Sequence, residues 1–473
     1  MIKMILGVFI TIFVIVTAVV VFYWRDINHD PSTQDMLLFF GLLPLALSML
    51  FVMPFMIRKW YQESQEKKQK EQQADRDQDD EVTELPPEKI MWTELNVFSS
   101  KSLSALGEDE AIWEELKNFK SPELDSKLLN GYGLPILSYR IPEIDDMLES
   151  EEEDEFDQSN KRQKRIEALI NYQLEQNTET LWAIAEHLKQ SALFYEGQLV
   201  HEYRMHPAWI DPNADREDDE QIERTIEQVS KLSRLDVHLI LAEDLLHIWD
   251  EEATKELIGD FFTELGIIPQ KFHVELHYWG KETAYKEWMN LLQQVQKAED
   301  IVSFVVVADS EIDQDTVDEK TWVSEQYLPS EFVGSCCIAK TSVLINNMQP
   351  LKTIKIALNE SKLQNTLEQL NIHQLEQYQQ EQPFVIQLDD ITDLKVVKRL
   401  NHNFSDTPIE QHHYLYMKSS VGQTEHVAKI FGFILATQAS DELMSMVYCC
   451  DLPQTQSFIQ AITEQDTSVE RDA

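Results

Sequence analysis

Two uncharged apolar stretches open the chain, residues 4–24 and 36–57, with a short polar loop at 25–35 between them. An α-helix needs about 20 apolar residues to cross the hydrocarbon core of a bilayer. The loop is too short to hold a domain, so residues 1–61 are expected to form a transmembrane hairpin with spans 4–24 and 36–57. Lys3 precedes the first span, and Arg58, Lys59, Lys67, Lys68 and Lys70 follow the second. The loop sets one base, Arg25, against Asp26, Asp30 and Asp35. The positive-inside rule then puts both ends in the cytoplasm, with Trp24, Trp60 and Tyr61 at interfacial depth. A cleaved signal peptide fits the first stretch poorly: the apolar run is long, no small-residue cleavage site follows, and a second span comes at once. The expected location is a bacterial inner membrane, crossed twice, with the rest of the chain cytoplasmic.

The charge balance narrows the partners. The 473 residues carry 40 Lys and Arg against 84 Asp and Glu, a net charge of −44. The first 71 residues hold 7 basic and 6 acidic groups, so the remainder carries all of the excess. A field of that sign repels phosphate backbones and anionic headgroups. No nucleic-acid partner is therefore expected.

Residues 62–87 are polar and charged, as in a tether, and Pro86-Pro87 marks the entry to folded structure. Residues 88–195 are expected to form an N-terminal α/β subdomain, with a strand at 92–97 and an exposed acidic loop at 145–157. Helical spacing runs over 161–195. From 196 to 460 the pattern alternates between strand and helix, which predicts an α/β domain. Its strands are expected at 198–203, 237–242, 272–278, 301–308, 337–345, 352–358, 383–388 and 413–418. Helices are expected at 222–232, 253–265, 283–298 and 427–438, and residues 461–473 read as a disordered tail.

Catalytic patterns are sparse. Only 12 glycines occur, and the sequence has no Walker A loop, GxGxxG or GxSxG. Phosphate loops and nucleophile elbows use glycine to bring backbone close to a ligand, so nucleotide binding and acyl-transfer chemistry are both disfavoured. The four cysteines form two adjacent pairs, Cys336-Cys337 and Cys449-Cys450, without zinc-type spacing and in apolar context, as buried packing residues are. His273, Glu275 and His277 share one strand face, but two histidines four residues apart on a strand stand roughly 13 Å apart, too far for one ion. The histidines at 201–206 and 412–413 offer no better set. No metal, cofactor or catalytic residue is assigned.

Three stretches in order resemble the C-terminal half of the thiolase-like fold of β-ketoacyl synthases. Residues 305–310 (Val-Val-Val-Ala-Asp-Ser) look like that family's buried strand ending in Asp-Ser. Residues 328–337 look like its turn into the next strand. Residues 422–428 (Gly-Gln-Thr-Glu-His-Val-Ala) look like its late glycine turn before an apolar helix, and 401–406 sit where its members carry an Asn-Gly-type turn. The chain departs from the family at the chemistry: no cysteine stands in the nucleophile's setting, and Gln423 stands where catalytic members have His. The resemblance implies a degenerate thiolase-like fold without an active site.

The overall organisation, with residues 95–97 and 112–116, also resembles the lipase-adaptor family of bacterial type VI secretion systems. The leading expectation is a non-enzymatic, membrane-anchored adaptor that binds a protein effector or secretion component. Trp209, Trp249, Trp279 and Trp322 are its candidate contacts, since aromatics are enriched in interface cores. The alternatives are a divergent acyl-transfer enzyme using Cys336 or Cys337, and a structural accessory of an envelope complex.

Overall fold

Unalternated apolar runs mark strands buried on both faces, and two of them form the heart of this protein. Residues Ile301–Ser310 and Glu331–Lys340 pair antiparallel, and almost every side chain in both is buried. The computed structural model describes Thr17, Val20, Phe22, Arg25 and residues 90–150, 161–202, 229–323, 327–346, 348–417 and 426–462. The chain divides into two units, Met1–Glu88 and Lys89–Ala473. The expected hairpin at 4–57, the linker at 62–87, Trp209 and the tail beyond 462 lie outside the described residues, those first four aside. No helix among the described residues is long and apolar enough to cross a membrane.

In chain order the second unit begins with β1 (Met91–Ser104), β2 (Gly107–Glu108), α1 (Glu110–Lys117) and the hairpin β3 (Glu123–Leu129) and β4 (Pro135–Ser138). Then come α2 (Pro142–Ser150), α3 (Lys161–Gln176) and α4 (Thr178–Glu202). An alternating stretch follows: β5 (Arg234–Ala242), α5 (Glu251–Glu264), β6 (Phe272–Trp279), α6 (Ala284–Lys297), β7 (Ile301–Ser310), α7 (Gln314–Val323) and β8 (Glu331–Lys340). The chain ends with β9 (Lys352–Leu358), α8 (Leu363–Gln369), β10 (Val385–Gln387), α9 (Leu394–Phe404), β11 (Tyr414–Tyr416), α10 (Ala428–Ala436), β12 (Ser445–Tyr448) and β13 (Gln456–Ala461).

Ten of these strands make one path, β11-β10-β12-β13-β9-β1-β8-β7-β5-β6. The path contains the same five-strand arrangement twice. In β6-β5-β7-β8-β1 the first two pairings are parallel and the last two antiparallel. In β11-β10-β12-β13-β9 the pattern is the same. The two copies meet where β1 pairs antiparallel with β9, Leu95 opposite Ile354. This gives the sheet an internal twofold repeat.

Helices cover both faces. On one, α1, α6 and α10 share a core with Leu95, Val305, Ile354 and Val447. The equivalent helices α6 and α10 touch through Trp288 and Phe433, 5.5 Å between ring centres, edge to face. Trp113 of α1 donates its indole N–H to the Leu435 carbonyl at 2.8 Å. On the other face α3, α4 and α5 cover the first copy, and α8 and α9 cover the second. The residues that turn each helix inward follow helical spacing; α6 buries Ala284, Tyr285, Trp288, Met289, Leu291, Leu292 and Val295.

Several expected elements change. Residues 198–202 are the end of α4, not a strand: the sequence Gln-Leu-Val-His-Glu alternates locally, but the helix already under way carries it. The strand expected at 337–345 is β8, starting at Glu331 and ending at Lys340. Part of the expected acidic loop is the helix α2, whose Asp145 faces Lys127 and Arg140 at 2.9 and 3.1 Å and also pairs with Arg165. Asn401–Phe404 are helical, inside α9, rather than a turn. The expected boundary between 195 and 196 falls inside α4, and β1 lies at the middle of the shared sheet.

Candidate functional site

Parallel strands leave a crevice at their carboxyl ends, where one crossover departs and the next begins, and open α/β sheets use that crevice for ligands. Each copy of the repeat has such a place: beyond β5 and β7 in the first, beyond β10 and β12 in the second. Both carry acidic side chains held by a cation from a helix.

In the first copy Arg162 of α3 donates to Asp244 Oδ2 at 2.7 Å and to Asp309 Oδ1 at 3.0 Å. It also donates to the Ser310 carbonyl at 2.7 Å. Arg165, one turn along, clamps Glu331 with two bonds of 2.8 and 2.6 Å. Ser310 Oγ donates to the same carboxylate at 2.9 Å. Glu311 sits beside this group, facing Lys320 at 3.4 Å and the Tyr327 hydroxyl. Burial, then the charge of Asp309, pushes the Glu311 carboxyl up to about 7.

In the second copy Asp389 stands two residues past β10, and Cys449, Cys450 and Asp451 follow β12 directly. Lys429, at the start of α10, lies 3.0 Å from Asp389 Oδ1 and also bonds Asp451. Cys449 Sγ donates to Asp389 Oδ1 at 3.6 Å. The other carboxylate oxygen accepts the Cys450 backbone N–H at 2.5 Å and the Gln387 amide at 3.1 Å. Burial alone would lower Lys429; the Asp389 and Asp451 carboxylates beside it outweigh burial and keep the ammonium protonated. Burial, then the Asp389 carboxylate, pushes the Cys449 thiol well above its usual range. The resting group is thus thiol, carboxylate and ammonium, reaching solvent through Asp451, a third exposed. The wholly buried Tyr285 of α6 lies on the inner side, within reach of the charges of Asp389 and Asp451.

Asp389, Cys449 and Asp451 offer ligand atoms close enough for one metal ion. Lys429 already supplies the cation there, so the set reads as an ion-paired cluster rather than a metal centre.

Residues singled out from sequence fare unevenly. Cys336 and Cys337 lie in the middle of β8, fully buried, and burial pushes Cys336 up to about 12 and Cys337 higher still. Among the described residues no carboxylate stands beside either thiol to take up its proton, and no ammonium stands there. Trp249 and Trp279 are buried, and Trp249 donates to Thr254 Oγ1 at 2.9 Å. Trp322, 92% exposed, stands on the surface. The stretch at 418–425, with Gln423, lies outside the described residues. Among the described residues His273 joins no cluster, but Glu275 and His277 meet His238, which β5 brings alongside. Asp389, Lys429 and Cys449 went unassigned in the sequence; a short apolar strand ending in Cys-Cys-Asp was the signal for them.

A cavity of about 500 Å³ opens elsewhere, beside Leu106, Pro122, Asp125, Tyr139 and Arg140. Neither acidic cluster lines it.

No protein-family model and no curated protein matches the chain. Among solved structures it is similar to the ketosynthase from module 6 of the bacillaene synthase of Bacillus subtilis 168: TM-score 0.42, 9% identity, 78% of this chain and 72% of that one. It is also similar to human mitochondrial 3-ketoacyl-CoA thiolase in complex with CoA: TM-score 0.29, 8% identity, 50% of this chain and 87% of that one. A third is the Acat5 thiolase from Ascaris suum: TM-score 0.30, 9% identity, 51% of this chain and 91% of that one. These are structures of enzymes, against the expectation of a non-enzymatic chain, and at this identity they leave its enzymatic status unresolved. The secretion-adaptor expectation finds no support among them.

Proposed function

We propose that the protein is a divergent acyl-transfer enzyme that handles thioesters at the carboxyl ends of β10 and β12, with Cys449 as the nucleophile. The observation that carries this reading is the contact of one thiol with one carboxylate beside a half-buried ammonium: Cys449 to Asp389 at 3.6 Å, Asp389 to Lys429 at 3.0 Å. Cys336 and Cys337, the nucleophiles first considered, have no such neighbours among the described residues. Asp389 takes the Cys449 proton, and the thiolate attacks the carbonyl carbon of a thioester. The carbon–sulfur bond of the incoming thioester breaks, and its departing thiolate recovers the proton from Asp389. The Lys429 ammonium stabilises the negative charge that builds up on sulfur and oxygen. A hairpin at 4–57 would hold this site at the cytoplasmic face of a membrane.

Intact-mass analysis tests the reading. The detergent-solubilised full chain is incubated with the acetyl thioester of N-acetylcysteamine. One acetyl adduct is expected, present in Cys336→Ala and Cys337→Ala and lost in Cys449→Ser. Absence of any adduct, or its survival in Cys449→Ser, sinks the proposal.

A further inference from the structure

His238 of β5 and Glu275 of β6 are direct neighbours in the parallel register, and His277 follows Glu275 on the same face. Three ligand atoms converge there. His238 Nδ1 lies 3.1 Å from His277 Nε2. Glu275 Oε2 lies 3.7 Å from His238 Nδ1 and 4.0 Å from His277 Nε2. In a triangle with those sides one point stands about 2.1 Å from all three corners, and zinc–imidazole and zinc–carboxylate bonds are about 2.0–2.2 Å long.

We infer that His238, Glu275 and His277 form a binding site for a divalent transition-metal ion of the zinc class. Two imidazoles and one carboxylate are a donor set suited to zinc, whereas magnesium and calcium take oxygen ligands. The ligands come from adjacent strands, so the sheet's hydrogen bonding fixes their spacing before any ion arrives. Among the described residues β6 ends the strand path, and the Glu275 side of the site is exposed. His238 is nearly buried, His277 partly exposed and Glu275 half exposed at 53%. A fourth, solvent-facing position therefore belongs to water, as in zinc sites with three protein ligands. On binding, the ring proton between the two imidazoles moves to an outward nitrogen, and the facing nitrogens bind the ion. In contrast to the Asp389 cluster, the partners of Glu275 here are the imidazoles themselves.

Cobalt(II) is the probe, because its visible ligand-field bands report the coordination shell directly. The chelator-treated full chain in detergent is titrated with Co²⁺, then with Zn²⁺ in competition. One equivalent is expected, with bands of a four- or five-coordinate ion that Zn²⁺ displaces and Mg²⁺ does not. His277→Gln and Glu275→Gln alter partly exposed side chains, so the fold should persist, as circular dichroism would check. Each is expected to weaken binding on the order of 100-fold, at or beyond what outer-shell losses cost in metal sites. His238→Gln should act alike. No bands, or a site unchanged in His277→Gln and Glu275→Gln, would mean that the two imidazoles share only a proton, and would overturn the inference.

Discussion

Glu311 makes the first acidic cluster sensitive to pH. Asp309, Lys320, Tyr327 and Arg162 face it, and burial is the largest influence upon it. Between its ordinary value of 4.5 and its folded value of about 7, the folded protein holds a proton that the unfolded chain has lost. Stability therefore falls as pH rises through that window and stays lower above it. Each unit of such a shift is worth about 1.4 kcal/mol, so the fall is on the order of 3 kcal/mol. Glu311→Gln removes the titration. Denaturant curves at pH 4.5 and 8 should show that the loss of stability between them shrinks by roughly that amount. An undiminished loss in the variant would place the titrating group elsewhere. Residue type alone decides little in this chain: Cys336 and Cys449 are both buried thiols, and only the one beyond a strand end meets a carboxylate and an ammonium.

Among the elements, α10 shows how closely the site depends on packing. A Cβ on Gly432 would stand 2.5 Å from Leu388 Cδ2 and 3.2 Å from Met417 Cγ. The helix that carries Lys429 thus rests on the residue next to Asp389 because position 432 has no side chain. Gly432→Ala is expected to destabilise the protein by about 1–3 kcal/mol, the usual cost of overpacking, and to reduce acetyl-adduct formation. Gly259→Ala, whose Cβ would meet Phe272 at an ordinary 3.9 Å, is the control and should form the adduct normally. If both glycine variants behave alike in thermal melts and labelling, the close seating has no role.

The elements themselves were largely legible in the sequence. An apolar run marked β7 and alternation marked β6, because burial writes its period directly into residue order. What was not legible depends on neighbours distant in sequence. No local pattern announces that β1 pairs with both β8 and β9. The spacing of His273, Glu275 and His277 argues only against one ion held along a strand, and it could not show that β5 supplies His238 from the side. Residues 198–202 alternate like a strand and continue a helix because the packing of that helix outweighs local preference.

On the scale of the molecule, the repeat defines one unit. The strand path and the four core clusters lie within residues 90–462. Residues 89–473 expressed alone should therefore fold and unfold cooperatively, with matching transitions by far-ultraviolet circular dichroism and tryptophan fluorescence. Two well-separated transitions would mean that the two copies are independent domains, and a chain without a transition would mean that the first 88 residues are required.

The place of β1 at the junction of the copies also has a consequence for biosynthesis. Asn96, at its middle, bonds a residue 245 positions later in the chain. At about 5–20 residues per second, the ribosome needs roughly 12 to 50 seconds to deliver the strand that β1 must join. During that interval a 14-residue strand rich in buried positions waits with little more than the short β2 beside it. The sheet cannot assemble outward from its amino end; its centre closes only once β8 and β9 have been made.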